Sequence, residues 1–457
     1  MTTLVAGGDG LARHEGLAVF VPRTAVGDRV RARVTSRGRF ARATGATVLT
    51  PSPDRVVPPC VHYERDGCGG CQWQHVSLDA QRRAKARIVA DAFERIARQP
   101  IPLPAVIGDE HAFGYRRSVR YTVRGRGAAR TAGFHAADDP DRVVDVATCL
   151  LAEPALQAAW AAVREALSRL PVPASRGAAA EGEARARGGR GRGARPPADD
   201  VQVTLRRLDD GRVALAIEGG TQWRDVDIAA LARAVPGCRG IWWTPKQGVR
   251  RLVWDAESPV PLAPTLEEAD ALTAAASFVQ VNAGMADTLH AHVLAQVQAA
   301  APTHVCDAYA GAGRLALALE RAGVPVTAIE RDAHAAAHAT ARFGARARMV
   351  TGAVEALLGE VLDASGGPEA PPVDVVVLNP PRGGCDAAVT ARLARPADAP
   401  AAAPHVRAIV YVSCDPATLA RDVQRLVGWR VQAVTCFDLF PQTSHVESVC
   451  VLRPEAV

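Results

Sequence analysis

The sequence predicts three parts in series. They are a small N-terminal β-barrel of the OB-like kind over 1–56, a central α+β domain over 57–270, and a doubly wound α/β domain over 271–457. Three observations predict this. A chain of 457 residues is too long for one hydrophobic core. Val30-Arg31-Ala32-Arg33-Val34 alternates strictly, as a half-buried strand does. From about residue 271, short apolar runs alternate with alanine-rich helical stretches, the rhythm of a parallel sheet wound by helices.

In the first part, Leu17–Val21 reads as a strand, Gly27-Asp28 as a turn and Val30–Val34 as a second strand. Its arginines, with Arg37, Arg39 and Arg42 behind them, suit a phosphate backbone as well as they suit a solvated sheet face. Small barrels of this sort bind single-stranded nucleic acid. Net charge is +6, from 54 basic and 48 acidic side chains, which permits an RNA partner without demanding one. Hydrophobic residues make up 48% of the chain, which excludes disorder throughout. No secretory signal or membrane-length apolar run is visible, so a soluble, cytoplasmic protein is expected.

The central part opens with a cysteine-bearing loop at 58–75. A helix is predicted from Ser77, a candidate cap, to Arg98, with Ile88, Val89, Ala92, Phe93 and Ile96 as its apolar stripe. Short strands such as Ser118–Val123 and Arg212–Ile217 follow. Residues 174–200 are low-complexity Ala, Gly, Arg and Pro, and are predicted to form a disordered insertion. Cys60, Cys68, Cys71 and Cys149 stand out among the ten cysteines. In a reducing compartment such a set points to a metal, and four thiolates suit structural zinc or an iron–sulfur cluster equally.

In the third part, apolar runs at His304–Cys306, Val326–Ile329, Val373–Leu378 and Ala408–Val412 are the expected parallel strands. Val431–Phe437 and Val446–Leu452 follow one another with no helix between, so the last strand is expected to enter antiparallel. Asp307-Ala308-Tyr309-Ala310-Gly311-Ala312-Gly313 is a strand end and glycine-rich turn before a helix near Arg314, where backbone can approach a ligand closely. Glu330 ends the next strand and suits a ribose. Asn379-Pro380-Pro381-Arg382 and Ser413-Cys414-Asp415-Pro416 end later strands on the same carboxyl edge, where such sheets place their ligands. Asp415 or Ser413 can cap the helix begun by Pro416, and Cys414 beside that helix end can either have a lowered pKa, as a nucleophile needs, or be an inert buried thiol. Cys306, Cys385, Cys436 and Cys450 are expected to be inert core thiols.

Phe278-Val279-Gln280-Val281-Asn282, Asp307 through Gly313, Asn379 through Arg382, Tyr411 through Thr418 and His445-Val446-Glu447-Ser448-Val449 occur in this order over most of the C-terminal half. With them the chain resembles the S-adenosylmethionine-dependent RNA uracil-5-methyltransferases. The resemblance implies a Rossmann-like methyltransferase domain at 271–457 and makes the N-terminal barrel similar to a TRAM domain. It implies Cys414 as the nucleophile that adds to uracil C6, and Glu447 as the base that removes the C5 proton. It further implies that Gln280, Tyr309, Gly311, Gly313, Glu330 and Asn379 contact S-adenosylmethionine, and that Cys60, Cys68, Cys71 and Cys149 hold a [4Fe-4S] cluster. The implied partner is RNA, with ribosomal RNA favoured over tRNA; no obligate protein partner is evident and a monomer is expected.

Three rival activities fit less well. An amino-methyltransferase often puts an aromatic where Arg382 stands and leaves Cys414 without a task, and an RNA cytosine-5-methyltransferase is expected to have cysteine at Pro381. A noncatalytic RNA-binding protein has no use for the set of Gln280, Cys414 and Glu447. Phe134, Trp242 and Trp243 are candidate platforms for a flipped-out base.

Overall fold

The computed structural model describes residues 1–36, 38–125, 130–171, 200–257, 280–364, 371–396, 403 and 405–455. The expected disordered insertion therefore lies outside the described residues except for Asp200, as do Arg37, Phe278 and Val279. The chain forms two compact units. One joins Met1–Val57, Gln72–Glu110 and Gly284–Val457; the other joins Pro58–Cys71 and His111–Ala283.

At the N-terminus of the first unit, β1 (Thr3–Leu4), β2 (Gly10–His14), β3 (Leu17–Val21), β4 (Arg29–Ser36) and β5 (Phe40–Thr50) form one sheet in the order β1-β2-β3-β5-β4. The expected alternation holds for half-buried Val30 and Ala32 beside exposed Arg31 and Arg33 but stops at Val34, which is exposed. Asp28 is the pin of the turn before β4. Its buried carboxylate accepts from the N–H groups of Ala25 and Ser52, both at 2.8 Å, and from Arg55 at 2.6 Å.

The expected helix runs Leu78–Ala92 and loosens into a π turn, Phe93–Ala97, before Arg98 ends it in the left-handed region at φ +56°. Ser77 stands at the cap position, but its hydroxyl makes no capping bond; its N–H donates to Asp54 O at 2.9 Å. Ala80, Ala84 and Ile88 pack with Leu4, Ala25, Trp73 and Val76, while Val89, Phe93 and Ala97 enter the core of the C-terminal sheet. A short strand that the sequence reading missed, β6 (Ala105–Ile107), follows.

The second unit is built on β7 (Ser118–Arg124), β8 (Thr131–His135), β9 (Val143–Asp145), β10 (Val201–Arg207), β11 (Val213–Glu218), β12 (Cys238–Thr244) and β13 (Arg251–Asp255). Their order is β13-β12-β11-β10-β7-β8-β9, antiparallel except between β11 and β12. Tyr121 stacks on Trp160, ring centroids 3.6 Å apart, in a core covered by the helices Pro154–Glu165 and Asp225–Ala234.

The C-terminal sheet of the first unit comprises β14 (Val305–Ala308), β15 (Val326–Glu330), β16 (Ala347–Thr351), β17 (Val375–Leu378), β18 (Ala408–Ser413), β19 (Trp429–Phe437) and β20 (Glu447–Pro454). The order is β16-β15-β14-β17-β18-β20-β19-β6. β14 to β18 are mutually parallel, and β20 runs antiparallel to both its neighbours, as the missing helix before it predicts. β16 was not foreseen: Ala-Arg-Met-Val-Thr offers no apolar run.

At the amino edge of this sheet Asp374 joins three strands. Its carboxylate accepts from the N–H groups of Thr303 (3.0 Å) and His304 (3.1 Å) ahead of β14 and from Arg407 (2.9 Å) ahead of β18. Burial pushes Asp374 up, but these donors outweigh it and hold the group below the ordinary carboxylate range. Asp374→Asn is expected to cost about 2 kcal/mol in urea unfolding at pH 7. Because the folded-state pKa lies below the unfolded one, that stabilisation is complete at neutral pH and fades as pH falls through the folded value. The two unfolding curves should therefore converge in acid.

Candidate active site

Two strand ends face each other at the carboxyl edge of the C-terminal sheet. Ser413, the last residue of β18, pairs with Ser448 of β20. One step further along the same register brings Cys414 opposite Glu447, the first residue of β20. Cys414 is half-buried and Glu447 is buried. Arg382, exposed in the turn after β17, acts electrostatically on both.

Burial pushes the Glu447 carboxyl up to about 7, with Arg382 opposing. The Cys414 thiol is also raised, first by desolvation and then by the Glu447 charge, with Arg382 again opposing. This goes against the lowered-pKa reading of the thiol. The helix Pro416–Arg425 does begin beside Cys414, but its free N–H donors are already taken: Asp415 accepts from Ala417 at 2.9 Å and from Thr418 at 3.0 Å. The helix end is thus neutralised by a carboxylate next to the thiol. The Ser413 hydroxyl accepts from the Asp415 N–H at 3.1 Å, which fixes the strand-to-helix turn.

The glycine-rich turn after β14 leaves the strand through Tyr309 at φ +63° and Gly311 at φ +55°. A side chain on Gly311 would meet nothing within 4 Å, so the backbone there is open to a ligand. Gly313 is constrained differently: a Cβ would sit 2.8 Å from Ala339 Cβ and from the Phe343 ring, so close packing demands the glycine. Glu330, at the end of β15, accepts from the Gly311 N–H through Oε2 and from the Asp332 N–H through Oε1, both at 2.7 Å. Each oxygen keeps a lone pair for a hydroxyl. Asp307 is buried, its Oδ2 has no hydrogen-bond partner, and desolvation raises it to about 7. Exposed Asn379 follows β17 and donates its N–H to Ala308 O at 3.4 Å, next to the same turn. These residues fit a nucleoside-bearing cofactor.

Cys385 is buried as expected but is not merely packing. Its thiol lies between the hydroxyls of Tyr309 and Tyr411 and is raised to about 11 by burial. Tyr411 donates to Asp422 at 2.7 Å, and Asp422 also accepts the Cys385 N–H at 2.7 Å. Asp422 thus anchors the loop that carries Arg382. Gly384 in that loop has φ +77°, and a Cβ would collide with Arg421 and Asp422. The sequence reading named Arg382 only within the Asn379–Arg382 run; its place after a strand on the edge shared with Cys414 was the available signal of its electrostatic reach.

In the second unit, Cys60, Cys71 and Cys149 adjoin one small apolar cluster with Tyr63, Tyr115 and Leu151. Cys68 and Cys149 adjoin another with Ala136, Val144 and Val146, so Cys149 links the two. Arg116 acts on Cys71 and Cys149, and burial raises the Cys149 thiol. Among the described residues no group of three or more His, Cys, Asp or Glu side chains is drawn up as a metal site, and none of the four cysteines is in a disulfide. A [4Fe-4S] cluster takes one thiolate per iron, and four cysteines supply that number. Gln280 also belongs to this unit, beside Val281, whose carbonyl accepts from the Arg117 N–H. Trp242 and Trp243 are buried, and Phe134 packs on Tyr121 with ring centroids 5.0 Å apart.

The family model of the tRNA (uracil-5-)-methyltransferases matches residues 372–455, which hold Cys414, Arg382 and Glu447. The 23S rRNA (uracil(1939)-C(5))-methyltransferase RlmD of Chromohalobacter salexigens is 33% identical, over 97% of this chain and 86% of that protein. The protein of the same name from Halomonas elongata is 33% identical over 98% and 87%. The chain belongs to the RNA uracil-5-methyltransferase family. Members of this family are S-adenosylmethionine-dependent enzymes, and the backbone at Gly311 is open as contact with such a cofactor needs. The crystal structure of a Pyrococcus abyssi tRNA (uracil-54, C5)-methyltransferase in complex with S-adenosyl-L-homocysteine has the same fold. It aligns with a TM-score of 0.64 at 20% identity, over 99% of each chain. The family's methyltransferase fold is thus shared across both units of the described structure. No helix among the described residues is long and apolar enough to cross a membrane.

The charge arrangement makes an expected outcome that needs no RNA. Glu447→Gln removes the like charge and should speed alkylation of Cys414 at pH 8. Arg382→Ala removes the opposing one and should slow it. Mass spectrometry of the Cys414 peptide after a short iodoacetamide pulse reads both changes.

Proposed function

We propose that the protein makes 5-methyluridine in 23S ribosomal RNA, with Cys414 and Glu447 as its catalytic pair. The observation that carries this is the opposition of a half-buried thiol and a buried carboxyl across one strand pair. Uracil C5 is a poor nucleophile. Addition of the Cys414 thiolate to C6 forms a sulfur–carbon bond and moves the C5=C6 electrons into an enolate. S-adenosylmethionine supplies a methyl group on a positively charged sulfonium, which the enriched C5 attacks. Glu447, raised to about 7 by burial and so ionised in a substantial share of molecules at neutral pH, takes the C5 proton. The electrons released re-form C5=C6 and expel Cys414. Arg382 favours the thiolate against the Glu447 charge.

Gln280, Tyr309, Gly311, Gly313, Glu330 and Asn379 are proposed to hold the cofactor, Glu330 through the ribose hydroxyls. Gly313 does so indirectly, by letting the following helix pack against Ala339 and Phe343. Residues 1–56 are proposed as a TRAM-like RNA-binding barrel, supported by exposed Arg29, Arg31 and Arg33 on one strand. The domains 57–270 and 271–457 are proposed as the cysteine-bearing and methyltransferase parts. A protein working alone in the cytoplasm fits this task. The favoured RNA follows the two relatives named for 23S rRNA.

The test incubates anaerobically purified protein with methyl-labelled S-adenosylmethionine and ribosomal RNA from a strain lacking the gene. Labelled 5-methyluridine after digestion to nucleosides is the expected product. Label in cytidine or adenosine overturns the chemistry, and transfer to tRNA alone overturns the ribosomal assignment.

Cys60, Cys68, Cys71 and Cys149 are proposed to hold a [4Fe-4S] cluster with a structural task, since this methyl transfer moves no electron. Anaerobic protein should contain iron and acid-labile sulfide in equal amounts, and Cys149→Ser should lose both. Zinc in their place would overturn the assignment.

A further inference from the structure

Only two of the 54 basic residues are lysine, and one of them, Lys85, is fully buried in the helix Leu78–Ala92. In a chain that otherwise uses arginine, a slot that takes the compact three-donor ammonium is informative. Lys85 Nζ donates to Asp438 at 2.5 Å and to Phe440 O at 3.0 Å. Asp438 is itself fully buried and opens the segment between β19 and β20.

One turn earlier on the same helix, Gln81 is also fully buried. Its Oε1 accepts the Gln442 N–H at 2.8 Å, and its Nε2 donates to Gln442 Oε1 at 3.0 Å. The Gln442 carbonyl accepts from the N–H groups of Gln72 and Trp73, both at 3.0 Å. Gln442 has φ +70°, a left-handed conformation that a side-chain-bearing residue keeps only when its surroundings hold it there. Beyond it, Thr443 bonds back to Phe440 O at 2.8 Å, and its hydroxyl accepts the His445 N–H at 3.3 Å. Glu447 is two residues further on.

We propose that Gln81 and Lys85 are positioning residues for the proton-removal step, clamping 438–442 so that Glu447 enters β20 in register with Cys414. This rests on the reading that Glu447 takes the C5 proton. Neither side chain touches substrate or cofactor in this scheme; both act through the backbone of the segment that delivers the base. Methyl transfer to C5 needs Cys414 but not Glu447. A displaced base should therefore leave the methylated uridine attached to Cys414.

The test uses Gln81→Met and Lys85→Met, two near-isosteric variants, in the full-length protein with ordinary uridine-containing RNA and methyl-labelled S-adenosylmethionine. All values are taken per mole of protein that binds the cofactor, so misfolded molecules do not count. Turnover should fall on the order of 10- to 100-fold, the cost of a small misplacement of a catalytic group. Denaturant-resistant, methyl-labelled protein–RNA adduct should accumulate, with the KM for S-adenosylmethionine unchanged. Glu447→Gln is run alongside. If it gathers no adduct, the base assignment falls and the inference with it. If Glu447→Gln gathers adduct while both methionine variants lose activity without doing so, or keep normal turnover, the clamp is structural only and the inference alone is overturned.

Discussion

The chemistry depends on one reversal of strand direction. In a wholly parallel sheet every strand brings its carboxyl end to the ligand edge, so all the groups offered there come from strand-to-helix turns. β20 runs the other way between β18 and β19 and brings its amino end to that edge. Because a one-residue slip in register turns a side chain to the opposite face, the pairing Ser413–Ser448 fixes Glu447 against Cys414. Phe437–Glu447 on the other side holds the same register from β19. Thus the Cys414 thiol comes from the end of one strand and the Glu447 carboxyl from the start of its neighbour. Seven positions of pairing along β19 lie behind Glu447, so its backbone is fixed by the ladder and not by a loop alone.

The second constraint is electrostatic. Glu447 and Cys414 are both acids that burial drives towards their neutral forms, and the Glu447 charge further disfavours the Cys414 thiolate. Arg382 is the counterweight, and it comes from a third strand end. Its loop is anchored from below by Asp422, which gathers the Cys385 N–H, the Tyr411 hydroxyl and the Arg421 guanidinium at 2.7 Å each. Tyr309 reaches the same network through Cys385, so the glycine-rich turn and the Arg382 loop share one buried polar anchor. A charge balance that depends on three strand ends needs such an anchor, since small displacements of an exposed arginine change its field at the thiol strongly.

Local chemistry was legible in the sequence; long-range polar chemistry was not. The strand runs, the Asp415 cap and the antiparallel last strand follow from apolar patterning and capping rules that act over a few residues. Cys414 and Glu447 were found through a resemblance, because an isolated cysteine or glutamate at a strand end has bland explanations. The thiol's raised pKa was left open since the sequence shows the helix beside it but not that Asp415 occupies the helix N–H groups, nor the charge across the strand. Gln81 and Lys85 gave no signal at all. A polar residue on a helix is ordinarily solvated, and their partners lie 361 and 353 residues away.

That separation explains why the chain leaves and re-enters the first unit. Residues 72–110 return between two excursions into the second unit, and their helix packs against both the N-terminal sheet and the C-terminal one. The Trp73 indole donates to Gly8 O at 2.9 Å, and the Trp73 backbone donates to Gln442. A side chain on Gly8 would press into Gln72, so the N-terminal strands approach this segment as closely as backbone allows. The N-terminal sheet is therefore coupled through one short segment to the loop that places Glu447. The N-terminal sheet and the loop before Glu447 thus share one support, the segment Gln72–Val76 and the helix that follows it.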